Sequence, residues 1–140
     1  MSIISALATY LATYSGLETG APVWVDYLGP KPTEYSVAPL SGTKVIERYL
    51  DGGSLREFSF AFRVAASTSD NAERINTLEF YEAFSDWLDA QTEAGTLPTL
   101  GTKKKASRIE ALEDGYLFEQ GQSETGDYQV VCKITYEQEA

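Results

Sequence analysis

The sequence predicts an α+β fold, a largely antiparallel mixed β-sheet with an N-terminal helix and one long amphipathic helix packed on it. Three observations predict it. Phe58, Phe60, Phe62 and Val64 alternate with Glu57, Ser59, Ala61 and Arg63, the period of a strand with one face against a core. Over residues 71–94, spacing at 100° per residue gathers Phe80, Tyr81, Phe84, Trp87 and Leu88 on one broad helical face. The apolar runs are joined by short turns bearing glycine, not by regular strand–helix–strand crossovers, which argues for helices on one side of an antiparallel sheet.

The first helix is predicted from Ser2 as cap, with Ile3, Ile4, Leu7, Tyr10, Leu11 and Tyr14 along one stripe and Gly16 as the stop. Residues 23–28 read as a short strand after Pro22. Gly29, Pro30, Lys31 and Pro32 break regular structure and read as a rigid loop, with residues 35–40 resuming as an irregular strand or loop. Residues 45–50 form a strand leading into Asp51-Gly52-Gly53-Ser54, where glycine supplies the positive φ of a hairpin turn. Asp70 and Glu73 stand at capping-box spacing before the long helix, and Gly95 and Pro98 close it. A loop over 96–105 precedes a strand over 106–113. Asp114-Gly115 reads as a turn, 116–120 as a short strand and 121–126 as a polar turn. The last strand alternates Tyr128, Val130, Cys132, Ile134 and Tyr136 against Gln129, Val131, Lys133, Thr135 and Glu137.

The chain of 140 residues fits a single domain over 1–140, with 43% hydrophobic residues to fill one core. Its net charge of −10 is concentrated in the second half. So acidic a surface repels phosphates, which argues against broad nucleic-acid binding and against anionic membranes. Cys132 is the one cysteine, so no internal disulfide can form. Residues 2–17 are uncharged but too short and too polar for a membrane span, and they lack the basic start of a signal peptide. The expectation is a protein made in the cytoplasm.

Catalytic chemistry finds little footing. The chain has no histidine, which removes the commonest general base, the Ser–His and Cys–His pairs, and the commonest metal ligand. Ser41-Gly42-Thr43-Lys44 matches S-x-x-K and Ser69-Asp70-Asn71 matches S-D-N, yet K-T-G is missing and the Ser–Lys pair precedes a strand. Neither G-x-x-x-x-G-K nor G-x-G-x-x-G occurs. No cofactor or metal is expected, and the chain is read as a non-enzyme. Two charged features stand out instead. Lys103, Lys104 and Lys105 form the only basic run, read as a solvated loop or as a contact with an acidic partner surface. Glu79, Glu82, Asp86 and Glu93, with Asp89 close by, share one sector of the long helix, whose only base is Arg74. Such a face is a solvated surface, the wall of a shared channel, or a contact for a basic partner.

The uncharged first helix, the run Val23-Trp24-Val25-Asp26-Tyr27, the Gly52-Gly53 hairpin leading into Phe58-Ser59-Phe60-Ala61-Phe62, the acidic aromatic helix around Phe80-Tyr81-Glu82-Ala83-Phe84, and the closing Gly126-Asp127-Tyr128 strand together resemble a family of tailed-phage and prophage proteins, the minor capsid or tail-terminator proteins. The likeness extends over nearly the whole chain. It implies a virion protein of the neck that forms a ring, usually a hexamer, on the end of the tail tube and joins it to the head. Self, the tail tube protein and head-completion proteins are then the partners, and DNA passes through without specific binding. The family has no catalytic residues to carry over. On this reading Pro30, Lys31, Pro32, Tyr35, Lys103, Lys104 and Lys105 are candidate partner contacts, and Glu79, Glu82, Asp86 and Glu93 a candidate channel lining. Three alternatives stay open: another head–tail connector subunit, a cytosolic module binding a ligand or peptide on an open sheet face, and an enzyme working through carboxylates alone.

Overall fold

Ser2 opens the chain's first helix as the sequence predicts, its hydroxyl accepting the Ser5 amide while the Ser5 side chain accepts the Ser2 amide. The structure, a computed structural model, describes residues 2–17, 23–25, 34–67, 71–113, 115–120 and 125–140. Over these the fold is α+β, with the elements α1 (Ile3–Leu11), β1 (Val23–Val25), β2 (Glu34–Arg48), β3 (Ser54–Ser67), α2 (Asn71–Ala94), β4 (Lys104–Ala111), β5 (Tyr116–Gln120) and β6 (Thr125–Gln138). The α2 capping pair rests on Asp70, which lies outside the described residues.

The six strands form one sheet in the order β1-β2-β3-β6-β4, with β5 also paired to β6. Only β1–β2 is parallel. Cross-strand register explains the core: Phe58, Phe60, Phe62 and Val64 lie opposite Ile134, Cys132, Val130 and Tyr128, so both apolar rows share a face. Tyr35 and Val37 extend it through β2, opposite Val64 and Phe62.

One sequence expectation is revised. Residues 35–40 and 45–48 belong to one continuous strand, β2, bent by register shifts between Pro39 and Thr43 and between Val45 and Glu47. Bulges of this kind put an extra residue in one strand and break the alternation that a pattern reading depends on. The turn read at Asp114-Gly115 includes Asp114, which lies outside the described residues. β4 and β5 both run antiparallel to β6, β4 along its second half and β5 along its first.

Both helices lie on the apolar face. α1 covers β1 and β2, and α2 covers β3 and β4. Phe84 stacks on Phe62 at 4.6 Å between ring centroids, the contact that seals helix to sheet. Tyr14, past the end of α1, meets Phe84 at 5.4 Å and Trp87 at 5.0 Å, locking the helices together. The buried residues of all these elements join in one cluster.

Candidate functional site

Residues that could serve function fall on surfaces, so each is located by the element that carries it. On α2 the buried sector is Thr77, Tyr81, Phe84 and Leu88, which leaves Glu79, Glu82, Asp86, Asp89 and Glu93 exposed on the opposite side. At 1.5 Å rise per residue, the row from Glu79 to Glu93 runs about 21 Å. Among the described residues none of these five carboxylates forms an ion pair, whereas Arg108 pairs with Glu110, and Lys133 with Glu57 at 3.3 Å. Ile75 and Leu78 are also exposed on the N-terminal half of α2.

The lysine run sits where β4 begins, and the edge strand starts within it: Lys104 and Lys105 are the first two residues of β4. Lys103 and Lys105 are exposed, Lys104 half-buried, and the Lys103 ammonium donates to the Ala140 carbonyl at 3.2 Å. Pro30, Lys31 and Pro32 lie outside the described residues. Tyr35, grouped with them as a partner contact, is corrected by the structure. Tyr35 is 3% exposed, stacked between Phe62 and Phe80, because the β2–β3 register sets it opposite Val64 on the apolar face. Of the candidate contacts within the described residues, Tyr35 is thus in the core and the three lysines stand at the start of β4, so these do not share one surface.

Among the described residues the fragments of the S-x-x-K and S-D-N match do not come together. Ser41 and Lys44 lie within β2 and not at a buried helix start, while Ser69 and Asp70 fall outside the described residues. No group of three or more metal-ligating side chains occurs among the described residues. Cys132 is buried in β6, and its burial pushes the thiol pKa up, away from thiolate chemistry. No described helix is long and apolar enough to cross a membrane. Comparison with protein-family models and with curated proteins gives no match to this chain.

Four residues take roles in the geometry that the sequence reading did not give them. The buried Tyr81 hydroxyl lies 2.9 Å from the Tyr128 carbonyl and 3.1 Å from that of Phe62, tying α2 to the β3–β6 seam. Its ring packs so closely on Gly115 that a Cβ there would overlap it. Thr92 donates to the Ile109 carbonyl at 2.8 Å and accepts its amide at 3.1 Å, so α2 satisfies backbone groups on the outer edge of β4. Leu50, at the β2–β3 apex, is fully exposed. Tyr81 and Thr92 border the apolar sector of α2 while carrying hydroxyls, which is the available signal. Gly115 has a signal only once its neighbour is known.

Proposed function

We propose that this chain is a virion structural protein of the phage neck, a tail terminator that forms a ring on the tail tube and joins it to the head. The observation that carries the reading is the one-sided charge of α2: five exposed carboxylates on a single face, without a basic partner among the described residues. Like charges at helical neighbour spacing oppose one another, so nothing in the stability of the isolated helix calls for this arrangement. A channel that conducts DNA does call for it. Phosphates slide past carboxylates, while exposed lysines or arginines would release counterions and bind. Glu79, Glu82, Asp86 and Glu93 are assigned to the lining, and Lys103, Lys104 and Lys105, unpaired with side-chain acids among the described residues, to a contact with a neighbouring subunit or the tube.

The resemblance to tail-terminator proteins supports the same reading, as does a sheet with its helices on one side. The test is functional. Purified chain is added to polymerising tail-tube protein, and tube lengths are measured by electron microscopy. A terminator stops growth and is seen as a cap on one end. Tubes that lengthen equally with and without it, and remain uncapped, refute the assignment.

A further inference from the structure

We propose that the β2–β3 apex of one copy docks in the groove between α1 and the segment after α2 of a second copy, with Leu50 inserted and Asp51 facing the neighbour's Lys105. The inference deepens the ring reading and rests on it, since it names the contact that builds the ring.

The apex is held by its own hydrogen bonds and sits beside Gln138 and Ala140. The Tyr49 amide donates to the Gly53 carbonyl at 2.8 Å, the Gly52 amide to the Tyr49 carbonyl at 3.1 Å, and the Gly53 amide to the Asp51 carboxylate at 2.9 Å. Gly52 supplies φ of 94°, in the left-handed region that few other residues accept. A leucine held this firmly loses little freedom on docking, so its burial is not offset by ordering a loop. It is fully exposed, so none of the described residues covers it.

The groove matches in chemistry. Ala6 and Tyr10 of α1 form one wall, and Leu97, Pro98 and Thr99 the other. Neither α1 nor residues 94–102 carries a charged side chain. The walls are fixed: Tyr10 packs on Trp87 at 5.4 Å, and its hydroxyl donates to the Thr96 carbonyl at 2.7 Å. Leu97 also borders the adjoining depression, whose wall carries Lys105 and, opposite it on β6, Glu137. Lys105 is exposed and forms no ion pair among the described residues. Apolar tip meets apolar groove, and the carboxylate beside the tip meets the ammonium beside the groove. Because tip and groove are different surfaces, the contact is head-to-tail and repeats from copy to copy, as a closed ring requires.

The experiment uses the full chain. At concentrations where the wild type assembles, L50D should reduce the mass measured by light scattering to that of one 15.4 kDa chain, with an unchanged circular dichroism spectrum. D51K and K105E should each weaken assembly, and the two together should restore it. Mixing L50C with T99C and a short bismaleimide should give a cross-linked pair that neither variant gives alone, since buried Cys132 does not react. If L50D keeps the wild-type mass, or if the assembled mixture yields no L50C–T99C product, the docking is wrong while the ring stands. A wild-type chain monomeric at every concentration overturns both.

Discussion

Phe62 sits where β2, β3 and α2 converge, stacked with Tyr35 at 6.2 Å and Phe84 at 4.6 Å and meeting Tyr81 edge-on. Its alternation with Phe58 and Phe60 made this row legible in the sequence. Truncating a buried ring costs about 3–5 kcal/mol. Phe60→Ala and Phe84→Ala, both at sites buried to 0% exposure, should each lose that much in chemical denaturation. Losses below about 1 kcal/mol for both would place the core elsewhere. The tyrosines add a pH dependence. Burial raises Tyr10 to about 12, and burial also lifts Tyr14, Tyr128 and, well above the ordinary value, Tyr81. Below about pH 10 these phenols are neutral in folded and unfolded chains alike, so their contribution is fully present. Above it the unfolded chain ionises first and stability falls toward the folded values. Melting temperature followed against pH should therefore drop from about pH 10 upward, with part of the tyrosinate absorbance appearing only on unfolding. A flat profile to pH 12 would contradict the burial of Tyr10 and its neighbours.

At the scale of elements, α2 does two jobs that differ in how clearly the sequence carried them. Its aromatic face was readable from helical spacing, because packing against a sheet demands it. Its capping of an edge strand was not. Thr92 meets Ile109 17 residues away through two hydrogen bonds that no local pattern encodes. Thr92→Val keeps the shape and leaves the Ile109 amide and carbonyl without those partners, a loss of about 1–3 kcal/mol. Hydrogen exchange at the Ile109 amide should quicken in the variant; unchanged protection would show that Thr92 does not cap this edge. The packing at the β4–β5 edge was not legible for a related reason. Asp114-Gly115 carries the residues of a turn, and Gly115 also serves close approach to Tyr81, which no local pattern encodes. Gly115→Ala should destabilise by about 1–3 kcal/mol through overpacking, and Tyr81→Ala should relieve part of that penalty in a double-mutant cycle. Strict additivity of the two changes would separate the residues.

Over the whole molecule, charge was the most legible property and its placement the least. Composition alone gave a chain of net −10, and helical spacing gathered Glu79, Glu82, Asp86 and Glu93 on one face. Their exposure needed the fold, as did the burial of Tyr35, which strand register and not residue type decided. Replacing the four acids with lysine should leave the monomer folded, since all lie outside the core, and should create DNA binding that weakens as salt rises. Absence of such binding in the assembled protein would remove this face from the channel. Leu50 was invisible as a contact, because an apolar residue in a turn has no pattern of its own. The central claim is that this surface exists to join copies of the chain. Light scattering across a range of concentrations, with negative-stain images of the same sample, tests it most directly. The account predicts one closed species of six 15.4 kDa chains, about 92 kDa, seen as rings with an open centre. A single 15.4 kDa species at every concentration, with no rings, would contradict it.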